Sequence, residues 1–229
     1  MIGIIVPAHN EEAYIEACVQ SLQVAALHPD LKREAVEIFV VLDSCRDRTG
    51  HLARSLGVKT MDVEAMNVGF ARQAASKMAL AAGARWLSYT DADSTVAPDW
   101  LASQLALGSD AVCGTVAVND WQPYGQRMRE HFEKTYADRD GHNHVHGANL
   151  GVSASAYQRA GGFPSLNSGE DHALVRALKK NGAGIAWSCK PRVATSVRSD
   201  FRAPGGFGAM LEKIDRLGLW SRTDITAAA

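Results

Sequence analysis

The chain has 229 residues, 46% hydrophobic and 21% charged, with a formal net charge of −1. That balance suits one large globular domain with a substantial core, and it gives no electrostatic reason to expect a nucleic-acid partner. No apolar run reaches the roughly 20 residues that span a bilayer, and Met1 leads straight into an apolar run without a signal sequence, so a cytoplasmic protein is expected.

Residues 2–6 are a continuous, β-branched apolar run, as in a strand buried on both faces of a parallel sheet. Pro7 ends it. Asn10 is placed to cap a helix whose apolar positions Tyr14, Ile15, Cys18, Val19 and Leu22 recur at helical spacing, with Glu11 and Glu12 suited to the positive end of its dipole. A second buried strand over 38–42 stops at Asp43. Residues 49–56 read as a short helix closed by Gly57, and 58–61 as a third strand. Phe70, Ala74, Met78 and Ala82 fall at steps of four and predict a helix halted at Gly83. The run 86–90 is a fourth strand, Pro98 opens another helix at a position where its missing N–H costs nothing, and 111–118 is a further strand. Strands alternating with helices in this way imply right-handed βαβ units around a mostly parallel sheet, an α/β fold.

The pattern changes after Asn119. Residues 124–136 read as a polar helix with Met128 and Phe132 on one stripe, followed by Asp138-Arg139-Asp140-Gly141 and a mixture of loop, strand and helix to Trp187. Phe207, Met210, Leu211, Ile214 and Leu217 share a helical stripe with Lys213 and Arg216 nearby. Such a stripe packs on its own core, meets a second copy in a homodimer, or makes peripheral contact with a membrane; the first two are the expectation. Residues 1–229 are expected to form a single domain with halves 1–118 and 119–229 and no flexible linker.

Asp91-Ala92-Asp93 carries the strongest chemical signal. Side chains at i and i+2 of an extended stretch point the same way, so both carboxylates would face the crevice where open α/β sheets bind ligands. Paired oxygen ligands suit Mg²⁺ or Mn²⁺, whose shells are completed by water and phosphate oxygens. The alternative is a turn-forming acidic pair at a strand end. A calcium EF-hand loop fits poorly, because Val96 and Ala102 stand where it needs Gly and Glu. His142, His144 and His146 would share one face of a strand and could hold zinc, or they belong to a polar loop, the commoner explanation. Trp121 and Trp187 could stack on a sugar but are expected in the core. The cysteines Cys18, Cys45, Cys113 and Cys189 have no C-x-x-C pair and no zinc spacing, and are expected to be reduced.

The segments Pro7-Ala8-His9-Asn10-Glu11-Glu12, Asp43, Asn67-Val68-Gly69-Phe70-Ala71-Arg72, Asp91-Ala92-Asp93, His146-Gly147-Ala148-Asn149-Leu150 and Ser168-Gly169-Glu170-Asp171 follow one another in an order that resembles the family 2 glycosyltransferases. The similarity extends to about Gly182. It implies a GT-A (Rossmann-like) fold with a nucleotide-sugar-binding half, 1–118, and an acceptor-binding half, 119–229. It also implies transfer of a sugar from a nucleotide diphosphate donor, with UDP the expected carrier, to a hydroxyl of an unidentified acceptor, with inversion and with Mn²⁺ or Mg²⁺. By the same resemblance Pro7, Ala8, Asn10 and Glu12 would wrap base and ribose, Asp43 would accept the uracil imide N–H, and Asn67, Gly69 and Arg72 would lie beside the nucleotide. Asp91 would face the ribose or the metal's water shell, and Asp93 would ligate the metal. Gly147, Ala148 and Asn149 would floor the sugar site. Asp171 would deprotonate the acceptor, with Glu170 beside it; for both acids the alternative is a place at a helix N-terminus.

Two departures from the family pattern bear on mechanism. No histidine follows His172 where relatives place a late histidine near the diphosphate; either Arg192, Arg198 or Arg202 neutralises phosphate instead, or the metal is held only by Asp93, the diphosphate and water. No Gln-x-x-Arg-Trp follows Glu170-Asp171, so a single, non-processive transfer is expected. Competing readings are a sugar nucleotidyltransferase, which would need a Gly-rich loop ending in Arg or Lys after the first strand, and a degenerate member that only binds nucleotide or scaffolds a partner. The absence of G-x-G-x-x-G counts further against a dinucleotide oxidoreductase.

Overall fold

A computed structural model of the chain describes residues 1–122, 124–198 and 207–218. In chain order the elements are β1 (Ile2–Ala8), α1 (Ile15–Ala26), β2 (Val36–Asp43), α2 (Thr49–Ser55), β3 (Lys59–Val63), α3 (Val68–Ala81), β4 (Trp86–Tyr89), β5 (Ser94–Val96), α4 (Trp100–Ala106), β6 (Ala111–Val118), α5 (Gly125–Thr135), β7 (Leu150–Ser153), α6 (Ala154–Arg159), α7 (Glu170–Lys180), β8 (Ile185–Thr195) and α8 (Phe207–Leu217). The strands form one eight-stranded sheet in the order β3-β2-β1-β4-β7-β6-β8-β5. Pairing is parallel for β3/β2, β2/β1, β1/β4 and β6/β8, and antiparallel where β7 enters between β4 and β6 and where β5 edges β8. The sheet therefore runs without a break through both halves of the chain.

Alternation along β1 explains the two layers. Ile2, Ile4 and Val6 face α1 and α4 in one buried cluster with Ile15, Cys18, Leu22, Trp100 and Leu101. Ile5 points the other way, into a cluster with Phe39, Val41, the alanines of α3 and Leu174 and Leu178 of α7. A third cluster joins α5 and α8 through Met128, Phe132, Tyr136, Leu211 and Ile214, so the C-terminal amphipathic stripe packs on its own chain. No described helix is long and apolar enough to cross a membrane.

Several boundaries differ from the sequence expectation. Asn10 is not a helix cap: α1 starts at Ile15 after Tyr14, and Asn10 sits at φ 54° with its Oδ1 accepting the Arg46 N–H. The buried stripe of α3 is Ala71, Ala75 and Ala79, one residue on from that expected, leaving Phe70 39% exposed. Small side chains there let the helix approach closely; a Cβ on Gly3 would come within 2.9 Å of Ala79. Pro98 lies in a turn closed by the Trp100 N–H on the Ala97 carbonyl, and α4 begins at Trp100. The third strand runs from Lys59 to Val63, further than 58–61, because it lies at the sheet edge with mixed exposure.

β5 and the length of β8 were not foreseen, since Pro191 argues against a strand interior. The sheet absorbs it in a bulge: the β6/β8 register jumps from Gly114↔Ser188 to Thr115↔Arg192. Asn149 fills the gap. Its Nδ2 donates to the Thr115 and Pro191 carbonyls at 2.7 and 2.9 Å, and its Oδ1 accepts the Trp100 indole N–H at 2.9 Å. Gly114 leaves room for it, a Cβ there falling 2.2 Å from the amide. Asn149→Ala should strand these buried partners and cost about 2–4 kcal/mol; urea unfolding checks this, and an unchanged midpoint would show that the bulge holds itself.

Candidate functional site

Parallel strands β1, β2 and β4 deliver their C-terminal ends to one side of the sheet, as α/β sheets do at ligand crevices. A cavity of about 690 Å³ opens there. Pro7, Ala8, Asp43, Asn67, Arg72, Asp91 and Asp93 line it from the first half of the chain, and Gly147, Ala148, Glu170 and Asp171 from the second. Asp93 and Asp171, 78 positions apart in sequence numbering, thus share one cavity. Their convergence does not come from an extended Asp-x-Asp stretch. β4 ends at Tyr89, and residues 91–93 form a turn closed by the Ser94 N–H on the Asp91 carbonyl.

Arg72 lies at the centre of the site. It is 3% exposed, its Nη2 donates to Asp91 Oδ1 at 2.5 Å, and its Nη1 donates to Glu170 Oε1. Both ends of the fork are engaged by carboxylates, so Arg72 ties the β4–β5 turn to the first residue of α7 rather than standing free to meet a phosphate. Gly147 is required beside it, because a Cβ there would lie 2.3 Å from Nη2. The Gly147 N–H in turn donates to Asp171 Oδ2 at 2.9 Å, while Asp171 Oδ1 accepts its neighbour His172's N–H at 2.7 Å. Burial pushes the Glu170 carboxyl up, and the Arg72 charge opposes that rise.

Asp43 organises the loop after β3. Its Oδ1 accepts the Ala65 and Met66 N–H groups at 2.8 Å and the Ser44 hydroxyl, and its Oδ2 accepts the Asn67 N–H at 2.8 Å. Burial pushes its carboxyl up, but these donors outweigh it and hold the group below its ordinary 3.8. Asn67 caps α3, its Oδ1 taking the Phe70 N–H at 2.8 Å.

Asp93 is tuned the other way. Burial foremost, then the charge of Asp91, lift its carboxyl to about 7 against the pull of Arg198. Arg198 grips Glu11 with both terminal nitrogens at 2.5 Å and approaches Asp93 Oδ2 at 3.7 Å. Four acids, Glu11, Asp91, Asp93 and Glu170, face two guanidinium groups, Arg72 and Arg198, so the pocket is short of positive charge, which is the chemistry of a divalent-cation site. Among the described residues no three His, Cys, Asp or Glu side chains are grouped to hold a metal by themselves. Asp93 and its neighbours therefore fit a cation that draws its remaining oxygens from a bound ligand and water.

The histidines lie in a loop, as part of an aromatic column rather than a metal cluster. The Tyr136 and His144 rings stack at 4.1 Å and 8°, His142 stacks on His144 at 5.3 Å, and His146 at 5.8 Å. Burial holds His144 at about 4 and His146 at about 3. Trp121 packs on Phe132, and Trp187 meets His142 edge-on with the Lys179 ammonium over its ring.

Five of the sequence-predicted residues do not line the cavity. Asn10 and Glu12 instead fasten their loop to the turn before α2, Glu12 Oε2 accepting from Arg48 at 3.0 and 3.3 Å. Gly69 packs against residues 164–166, where a Cβ would meet the Pro164 carbonyl at 2.2 Å. Asn149, fully buried, serves the β6/β8 bulge and not the sugar site. Arg192 pairs with Asp138 at 2.6 Å and is absent from the lining, and Arg202 lies outside the described residues. Sequence reasoning missed Tyr136, Thr195, Phe207 and Met210 as lining residues. Only the α8 stripe offered a signal, and it read as core packing.

The Asp43 hydrogen bonds carry a pH signature. A depressed native value means that stability from Asp43 is complete above its unfolded value near 4 and is lost as pH falls through the lower native value. The stability gap between wild type and Asp43→Asn should therefore be full at pH 7 and shrink below about pH 4. Urea titrations at both pH values check this, and a gap constant with pH would disconnect the carboxylate charge from the loop.

Comparison with known proteins places this geometry. The model of the family described as glycosyl transferase family 2 matches residues 3–160. No curated relative matches the chain by sequence. Among solved structures, Staphylococcus aureus TarS 1–349 in complex with UDP-GlcNAc aligns at a TM-score of 0.69 and 16% identity, over 96% of this chain and 66% of that one. A mannosyltransferase from Pyrobaculum calidifontis in complex with GDP-Man and Mn²⁺ aligns at 0.63 and 20%, over 94% and 60%. Glucosyl-3-phosphoglycerate synthase from Mycobacterium tuberculosis, with Mn²⁺, UDP and glucosyl-3-phosphoglycerate, aligns at 0.59 and 17%, over 97% and 80%. The chain thus spans less than two thirds of the length of the first two, and at these identities the likeness establishes the shared GT-A fold.

Proposed function

The chain belongs to glycosyl transferase family 2, and on that premise we propose that it moves a sugar from a nucleotide diphosphate donor to an acceptor hydroxyl by one inverting displacement. The observation that carries this reading is the shared cavity of Asp93 and Asp171. It brings a cation-seeking acid and an acid with room to accept a proton into one space.

The donor half follows from the strand ends. Asp43 Oδ2 accepts a single N–H, from Asn67, and a carboxylate oxygen has capacity for a second donor. The imide N–H of uracil would supply it, which favours UDP. Asp93 would hold Mn²⁺ or Mg²⁺, with Asp91 beside its water shell; when bound, the ion supplies positive charge to the diphosphate as the sugar–phosphate bond breaks. Arg198, near Asp93, adds a fixed positive charge on the same side, where the family's late histidine is missing. Such preorganised charge is usually the largest catalytic contribution.

Asp171 is the proposed base. Each of its oxygens accepts one backbone N–H, which orients the carboxylate and leaves lone pairs for an acceptor O–H. The acceptor oxygen would attack the anomeric carbon as its proton passes to Asp171 and the diphosphate departs. Arg72 acts through others: by holding Asp91 and Glu170 at once, it sets the distance between donor turn and base. One transfer per encounter, without processivity, fits the missing Gln-x-x-Arg-Trp.

Two substitutions test the assignment. Asp93→Ala should weaken Mn²⁺-dependent UDP binding at least roughly tenfold, a change of about 1.4 kcal/mol, and leave affinity indifferent to EDTA; calorimetry reads both, and wild-type affinity with retained EDTA sensitivity would remove Asp93 from the cation site. Asp171→Asn should keep UDP affinity but slow sugar release from a panel of UDP-sugars by about 10²–10⁴-fold. Turnover near the wild-type rate would rule Asp171 out as the base.

A further inference from the structure

The cavity wall beyond Asp171 has a different character from the donor side. Val116, Tyr136, His144, His146, Phe207 and Met210 form it, contributed by β6, the end of α5, the histidine loop and α8. The rings are held in place. Phe207 rests edge-on against Phe132 at 5.7 Å and against His146 at 6.0 Å, and Tyr136 is stacked between Phe132 at 4.5 Å and His144 at 4.1 Å.

Hydrogen bonding makes this wall neutral. The Tyr136 hydroxyl accepts the Val116 N–H at 2.9 Å and lies 2.9 Å from His146 Nε2, where an imidazole protonated on Nδ1 alone takes the hydroxyl proton. His146 is then an uncharged imidazole whose remaining proton sits on Nδ1. The low values of His144 and His146 are consistent with that state. Among the described lining residues there is no lysine, and the arginines, Arg72 and Arg198, are gripped by Asp91, Glu170 and Glu11 on the donor side. Among the described residues, a phosphate or carboxylate placed on the acceptor wall would meet no lysine or arginine and would lie near Asp171. Burying an unpaired charge is costly, whereas a flat apolar face gains from aromatic contact.

We propose, resting on the transferase reading above, that the acceptor is an uncharged hydroxyl compound with an aryl or similarly flat apolar group that lies against His146 and Phe207, beside the edge of the covered Tyr136 ring. This narrows the acceptor class and assigns those three residues to acceptor selection, with Met210 lining the same cavity.

Matched probes test it. The protein loaded with UDP and Mn²⁺ is titrated calorimetrically with phenyl β-D-glucopyranoside and phenyl β-D-galactopyranoside, with the 6-phosphate of each, and with free glucose. At least one phenyl glycoside should bind roughly tenfold or more tightly than both its phosphate and glucose. Phe207→Ala should lower that affinity roughly tenfold. Met210→Lys, which puts a cation on the wall without emptying the core, should shift preference toward the phosphate. Phosphate esters binding as well as neutral glycosides, a Phe207→Ala protein with undiminished phenyl glycoside affinity, or UDP binding without any glycoside binding would each overturn the inference. Failure of UDP itself to bind would instead bring down the transferase reading, and this inference with it.

Discussion

The buried guanidinium of Arg72 is the interaction on which the site's arrangement depends. It lies on α3, yet its partners come from the β4–β5 turn and from the head of α7, 98 residues away at Glu170. Two carboxylates brought this close would repel each other without a charge between them, and removing one partner from a buried ionic group costs several kcal/mol. The same guanidinium leaves no room for a side chain at Gly147, and that glycine's N–H orients Asp171. One arginine thus relates the donor side of the cavity to the proposed base.

Sheet topology does the remaining placement. Parallel β1, β2 and β4 put Ala8, Asp43 and the Asp91–Asp93 turn on one edge, while β7, antiparallel between β4 and β6, leads back from the Gly147–Ala148 floor. The bulge at which β8 carries Pro191 leaves a weak point in the parallel β6/β8 ladder, and the Asn149 side chain repairs it by supplying the hydrogen bonds that the ladder lacks. A residue that resembles a sugar-site asparagine is, in this chain, part of the sheet.

The two sides of the cavity differ in electrostatics for a physical reason. Acids on short turns, Glu11, Asp91 and Asp93, concentrate negative charge where a cation and a diphosphate would neutralise it. The opposite wall is built from rings whose polar atoms satisfy one another, from Val116 through Tyr136 to His146. Charge chemistry and apolar recognition are thereby separated within about 690 Å³.

Local pattern determined much of this protein. The apolar runs of β1, β2, β4 and β6, the α5 stripe, and the acids at strand ends follow from periodicities of two and 3.6 residues, which neighbouring side chains impose. The order of the short motifs was equally legible, and with it the family. Tertiary structure alone decided the partners of Arg72, the burial of Asn149, the loop-fastening roles of Asn10 and Glu12, and the stacking of His144 on Tyr136. Even the α3 face shifted by one residue, because close approach to the sheet at Gly3 selects the alanines over Phe70. Each of these depends on groups tens of residues apart meeting in space, and periodicity carries no record of distant partners.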